Sequence, residues 1–257
     1  MEEDKGRQIE QLSEQKIIKI SSFDKLKESF AAKESEKTGG VISVHILRHC
    51  QPASNERGAP LNLEGRAEAE KLARAIDQRN PTIIAFGPLP RARETAAILA
   101  NDISAKEVYL IKDERLNKPS WNLSEERRFS RLVEKLQEKK SPRDVSRLLN
   151  MFYDTPGEEA MAEEPAKSLE EFLSNYAELA TILSSGSQLN IIAISHQETM
   201  IPYLVRRWGL KIFGREEWKT WRQLRGIETG AGFRVLIDMS DDRPKKVLEI
   251  AGERFEK

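Results

Sequence analysis

The stretch Val41–Asn55, VISVHILRHCQPASN, constrains this chain more than any other. Val41, Ile42, Val44, Ile46 and Leu47 form an apolar, β-branched run, bounded by Gly39-Gly40 before it and Pro52 after it. A run this short, set between chain breakers, predicts a buried strand rather than a helix. At its end the sequence turns abruptly to Arg48-His49-Cys50-Gln51-Pro52. Open α/β sheets carry their chemistry in the crevice outside the carboxyl ends of such strands.

The residue types at that turn point to phosphate. An imidazole with an ordinary pKa near ~6.5 is largely neutral at pH 7, so one ring nitrogen is free to attack. Neighbouring arginines favour the neutral ring, because like charge disfavours the imidazolium. A guanidinium is a permanently charged planar fork that grips phosphate oxygens in pairs. Arg48-His49 therefore suggests a phosphohistidine nucleophile with its anion clamp. Two such residues alone also describe an ordinary surface turn, so the rest of the chain must supply partners.

Composition narrows the class. The 257 residues suffice for one full core plus an appendage. Basic and acidic residues balance at 42 each and form no long basic run, which argues against nucleic acid as a partner. The single cysteine, Cys50, excludes an internal disulfide and favours a reducing compartment. No apolar run approaches the ~20 residues that span a bilayer, so no membrane partner is expected. The start, MEEDKGRQIE, lacks the basic and apolar regions of a signal peptide. A cytoplasmic protein is expected, and the sequence carries no signal for an oligomeric state.

Residues 1–40 read as a charged N-terminal extension, with Ser22 capping a short helix that carries Phe23, Leu26 and Phe30 on one face. Residues 41–257 read as one α/β domain. After the first strand come a helix over Leu61–Arg79, a strand over Thr82–Phe86, a helix over Pro88–Asn101 and a strand over Glu107–Ile111. That alternation predicts parallel βαβ units in a three-layer α/β/α sandwich with a mostly parallel central sheet. From about 120 to 185 the pattern is helical alone, over Leu123–Lys139, Pro142–Tyr153 and Ser168–Leu183, with Pro156-Gly157 and Pro165 punctuating the last gap. This is a helical insertion over the sheet edge. The core returns as a strand over Leu189–Ser195 and a helix over Met200–Leu210. Lys211–Arg225 reads as partly helical, and Ala231–Asp238 with Lys246–Ile250 as a closing hairpin.

Two further strand ends carry suitable groups. Gly87-Pro88-Leu89-Pro90-Arg91 puts an arginine at a helix start, where free N–H groups also favour an anion. Ser195-His196-Gln197-Glu198-Thr199 brings a second histidine. With these segments together the chain resembles the histidine phosphatase superfamily, the phosphoglycerate-mutase-like fold. Ile46-Leu47-Arg48-His49-Cys50-Gln51 is similar to its Leu-x-Arg-His-Gly signature, and Pro60-Leu61-Asn62-Leu63-Glu64-Gly65-Arg66-Ala67-Glu68-Ala69 to its Pro-Leu-Thr-x-x-Gly-x-x-Gln-Ala. Leu89-Pro90-Arg91-Ala92-Arg93-Glu94-Thr95-Ala96 matches its Leu-x-Arg-Ala-x-x-Thr-Ala, and Ile194-Ser195-His196 its Val-Ser-His strand end. The resemblance covers residues 41–116 and 189–210.

What the resemblance implies is a phosphomonoester hydrolase acting on a small phosphorylated metabolite. His49 becomes the nucleophile, His196 the second histidine, and Arg48 and Arg91 the phosphate clamp. Asn55, Gln51 and Arg57 become candidate substrate contacts, and no metal or cofactor is implied. The sequence departs from the family at Cys50, which replaces a glycine, and at Leu116-Asn117-Lys118, where the family's Leu-x-Glu carries the acid of the mutase branch. A leaving oxygen still needs a proton. His196-Gln197-Glu198-Thr199 is similar to the His-x-Glu-Thr of the inositol-polyphosphate phosphatase branch, which makes Glu198 the candidate donor. The same four-residue spacing also fits a capping box, and Glu114 is the reserve acid. Three rival readings stay open: a mutase-type phosphotransferase, a catalytically weak phospho-ligand binder, and a zinc site through His45 and His49.

Overall fold

The structure, a computed structural model, describes residues 16–31, 39–54, 56–76, 80–105, 107–138, 144, 147–149, 152, 155, 159–184, 186–208, 230, 232–239, 245–250 and 253–256. The site expectation at Asn55 lies outside these residues, as do the readings over 211–225 and over most of 142–153.

The apolar runs become strands β1 (Lys16–Ile20), β2 (Val41–Arg48), β3 (Thr82–Phe86), β4 (Glu107–Lys112), β5 (Gln188–Ser195), β6 (Gly232–Asp238), β7 (Lys245–Ile250) and β8 (Glu253–Glu256). They form one sheet in the order β1-β4-β3-β5-β2-β6-β7-β8. The first five are mutually parallel, and β6, β7 and β8 close one side as antiparallel neighbours. Strand β5 reads as a continuous apolar run because both its faces are covered.

Helices α2 (Leu63–Ala75) and α3 (Pro90–Asp102) cover one face, packing Ala73, Ala92, Ala96 and Leu99 on Leu47, Ile84, Val108, Ile192 and Ile194. On the other face lie α1 (Phe23–Ala31), α4 (Leu123–Glu138), α5 (Glu159–Thr181) and α6 (Gln197–Tyr203), over Ile42, Val44, Ile46, Ile83, Ile191 and Val235. The result is the three-layer α/β/α sandwich with a mostly parallel sheet. No helix among the described residues is long and apolar enough to cross a membrane.

Three elements differ from the sequence reading. Within the segment read as a charged extension, Lys16–Ile20 is the edge strand of the sheet, paired in parallel with β4. Its two lysines and exposed side chains hide the strand signal, and charge on an outermost strand discourages further pairing. Helix α5 begins at Glu159 and runs through Pro165 instead of starting after it. A proline inside a helix costs about 3 kcal/mol or more. Here Met161, Ala162, Pro165, Ala166, Leu169, Phe172, Leu173 and Tyr176 form one unbroken buried stripe, and that burial outweighs the lost hydrogen bond. Helix α6 starts at Gln197, three residues before Met200, and widens into a π-turn over Leu204–Trp208.

Helix α1 is anchored as a core element: Leu26 is fully buried, and the Phe30 and Tyr109 rings lie 5.0 Å apart. Leu26→Ala is expected to cost about 2–5 kcal/mol in urea unfolding, whereas Leu63→Ala, on a side chain 85% exposed, stays within about 0.5 kcal/mol. Equal midpoints for the two variants would show that α1 contributes nothing to the core.

Candidate active site

The site grows from strand register. Strands β2 and β5 pair in parallel so that Arg48 lies opposite Ser195, and the His49 N–H donates to the Ser195 carbonyl at 3.1 Å. The next residue of each strand is a histidine. Both imidazoles therefore leave the sheet at one level, with ring centroids 4.9 Å apart. On the far side of β5, β3 ends where the Gly87 N–H donates to the Ile194 carbonyl. Pro90 then stands in the first turn of α3, where a missing N–H costs nothing, and Arg91 follows it.

Arg91 turns inward and is only 5% exposed. Its Nε donates to His49 Nε2 at 3.0 Å, and its Nη1 donates to the carbonyls of Glu56 and Arg57 at 3.1 and 3.2 Å. On the other edge of the ring, His49 Nδ1 lies 2.8 Å from the Cys50 carbonyl oxygen. A carbonyl only accepts and a guanidinium only donates, so these partners assign the tautomer. Nδ1 carries the proton and Nε2 keeps its lone pair.

Electrostatics keep the ring neutral. Burial pushes the His49 pKa down to about 3, with Arg91, Arg48 and Lys118 adding to the shift and the Cys50 carbonyl opposing it. Desolvation, more than the arginines, thus holds the free base. His196 is fully buried, and its pKa is lowered well below the ordinary value by burial first, then by His49, Arg91, Lys118 and Arg48. Neither of its ring nitrogens has a hydrogen-bond partner among the described residues. Burial also lowers the Arg48 and Arg91 pKa values, against which Glu198 favours both charged forms.

Above His49 opens a cavity of about 790 Å³ lined by Arg48, His49, Arg91, Lys118, Gln197 and Glu198, with helix α4 as its roof. His196 lies behind His49 rather than on the cavity wall. Glu198 does not act as a helix cap. Its carboxylate pairs instead with Lys118 Nζ at 3.4 Å, while the same Nζ reaches Glu126 of α4 at 3.1 Å. Lys118 is held by its own chain segment: Ser195 Oγ donates to the Leu116 carbonyl at 3.1 Å and Thr199 Oγ1 to the Asn117 carbonyl at 2.8 Å.

Other expected contacts stand elsewhere. The Gln51 side chain is not on the cavity wall; its backbone N–H donates to Glu68 and its carbonyl accepts from the Asn62 N–H. Arg57 likewise stays off the wall and meets Arg91 through its carbonyl. Glu114 is turned to Lys112 at the surface, at 2.6 Å, and does not reach the cavity. Cys50 is buried, and burial with Glu68 nearby pushes its thiol up to about 12, which makes it an inert small residue next to His49. His45 Nε2 lies 3.1 Å from Ser43 Oγ, back along β2. Among the described residues no group of three or more His, Cys, Asp or Glu side chains is placed to hold a metal ion.

Sequence reasoning missed Lys118 as a member of the site, together with Trp121, Arg127 and Arg131 on the roof. The four-residue spacing of Arg127 and Arg131 on a helical pattern was the available signal. The roof helix itself starts on a reciprocal cap: Asn122 Oδ1 accepts from the N–H groups of Ser124 and Glu125, and the Glu125 carboxylate accepts from the Asn122 N–H at 2.7 Å.

Comparison with known proteins adds the family. A search of curated proteins finds no match to this chain. Among solved structures, mycobacterial hydrolase 2 is similar with a TM-score of 0.51 at 16% identity, over 82% of this chain and 90% of that one. A mycobacterial glucosyl-3-phosphoglycerate phosphatase gives 0.41 at 15% identity, over 77% and 90% of the two chains. A phosphoglycerate mutase from Plasmodium falciparum gives 0.35 at 17% identity, over 84% and 97%. At these identities the likeness is one of fold. A profile of the histidine phosphatase superfamily (branch 1) matches residues 44–224. That match runs from inside β2 to beyond α6, most of the chain, and the protein belongs to the histidine phosphatase superfamily, branch 1.

Proposed function

We propose that the protein is a phosphomonoester hydrolase that acts on a small phosphorylated metabolite through a phosphohistidine at His49. The observation that carries this reading is the state of His49: a neutral ring, protonated at Nδ1, with the Nε2 lone pair at the base of a cationic cavity. Nε2 attacks phosphorus in line as the bond to the leaving oxygen breaks, and the Glu198 carboxyl gives that oxygen its proton. Water then attacks the phosphohistidine, the N–P bond breaks, and the Glu198 carboxylate takes the proton of the water. The products are the alcohol and inorganic phosphate.

Positioning and charge stabilisation supply most of the rate in phosphoryl transfer. Arg48 and Arg91 serve here as the clamp on the equatorial oxygens, with His196 behind them. A buried polar group without a partner costs about 1–3 kcal/mol, and a phosphoryl oxygen within reach of the one N–H of the neutral His196 ring would supply the acceptor that this donor lacks. The same anion would take over the Arg91 N–H that now meets His49 Nε2 and free the lone pair for attack.

One observation favours a second reading. Lys118 stands where the mutase branch carries its acid, and it engages Glu198 directly. That disfavours a mutase and is compatible with a weakly catalytic phospho-ligand binder. Labelled phosphate trapped on His49 separates turnover from binding, and transfer to a second sugar phosphate would reveal a mutase.

Two expected outcomes test the reading. His49→Ala should lower p-nitrophenyl phosphate hydrolysis by at least about 10³-fold, and a variant as fast as wild type overturns the mechanism. The second concerns stability. All three histidines of the chain have pKa values below the ordinary 6.5: His45 about 4, His49 about 3, and His196 held well below 6.5 by burial. As pH falls, the unfolded chain takes up these protons first, so stability is complete above about pH 6.5 and is lost below it. Each histidine is expected to remove on the order of 1–2 kcal/mol between about pH 6.5 and 5. Urea unfolding across that range measures the loss, and a flat profile would contradict the buried neutral rings.

A further inference from the structure

The cavity of about 790 Å³ is far larger than one phosphoryl group needs and falls in the range that encloses a whole drug-sized ligand. Its lining sets five cationic side chains, Arg48, Arg91, Lys118, Arg127 and Arg131, against three carboxylates, Glu126, Glu134 and Glu198. The chain as a whole is balanced, with 42 basic and 42 acidic residues, so this positive surplus is local to the cavity. A cleft lined by one sign of charge concentrates ligands of the other.

The charges divide by position. Arg48 and Arg91 flank His49, where the transferred phosphoryl group is taken up. Lys118 engages two of the three carboxylates, Glu126 and Glu198. Arg127 and Arg131 are left. They stand four residues apart on the cavity side of α4, both are exposed, and no ion pair joins either to a described residue. Trp121, Leu123 and Val133 add an apolar wall to the same roof. Two guanidinium groups that no ion pair joins to a described residue, with Glu134 as the one remaining carboxylate of the lining, are suited to a second planar or tetrahedral oxyanion.

We propose that the leaving group of the substrate carries a second anionic group, a phosphate or a carboxylate, which Arg127 and Arg131 bind from the roof while Arg48 and Arg91 hold the phosphoryl group at His49. This inference rests on the phosphatase reading for which end of the ligand is cleaved, and on the roof arginines for the selectivity itself.

Matched ligands test it. Fructose 1,6-bisphosphate against fructose 6-phosphate differs by one phosphate, and 3-phosphoglycerate against glycerol 3-phosphate differs by one carboxylate. Binding is measured by titration calorimetry on the full chain carrying His49→Ala, so that no ligand is consumed. The doubly anionic member of at least one pair should bind about 10-fold tighter or more than its partner, and that pair identifies the second anion. Adding Arg127→Gln and Arg131→Gln should shrink the ratio to about 2-fold or less, while Arg74→Gln, an exposed arginine on α2 outside the cavity, preserves it. Ratios near unity in both pairs overturn the proposal, as does a preference that survives the double substitution or that Arg74→Gln lowers equally. Hydrolysis of p-nitrophenyl phosphate by the wild-type chain, measured in parallel, reports on the phosphatase reading alone.

Discussion

Everything at the site depends on one parallel pairing, β2 against β5, with Arg48 opposite Ser195. In a parallel pair both strands end on the same side of the sheet, so residues just beyond opposite partners emerge together. That is why His49 and His196, far apart in the chain, stand 4.9 Å apart. A one-residue slip would turn every side chain of β2 to the other face. The slip is opposed by the alternation of Ile42, Val44 and Ile46, which are fully buried on one side, with Leu47 packed on the other. Core packing therefore fixes the distance between the two imidazoles.

The same burial sets their chemistry. A histidine in water would share its ring between two protonation states near neutrality. Here desolvation is the largest influence on both rings, and the guanidinium groups reinforce it. The cost of gathering cations at a strand end is thus spread over a scaffold whose core clusters lie on both faces of the sheet. The Cys50 carbonyl and the Arg91 N–H then decide which nitrogen keeps the lone pair.

Much of this was legible in the sequence, for physical reasons that also mark where legibility ends. Buried parallel strands announce themselves as continuous apolar runs, and β2, β3 and β5 were found on that signal with their histidines and arginines at the ends. The edge strand β1 carries no such run because none of its five residues is buried and three are exposed. Pro165 reads as a stop because local propensity does not register the buried stripe of α5 that carries the helix through it. Gln51, Arg57 and Glu114 lie close in sequence to the right elements, but the path of a loop decides whether a side chain or a carbonyl faces the cavity. Arg57 stays off the cavity wall and meets Arg91 through its carbonyl. Lys118 read as the loss of an acid, because a motif records what is absent and not what the replacement touches.

Lys118 is where the constraint and the departure meet. Its segment is tied down through the carbonyls of Leu116 and Asn117, which accept from Ser195 and Thr199. Backbone acceptors are indifferent to the side chains they belong to, so this tether holds whatever residue follows it. A change of residue at this position alters the charge beside the two histidines while leaving the backbone path in place. With lysine there, the ammonium reaches across the cavity from Glu198 on its floor to Glu126 on its roof. Both partners keep part of their surface in water, where such pairs contribute little to stability. The consequence is electrostatic. Lysine engages the carboxylates of Glu198 and Glu126, and among the described residues no ion pair is left to Arg127 and Arg131, so the cavity of a charge-balanced chain carries a local surplus of cations.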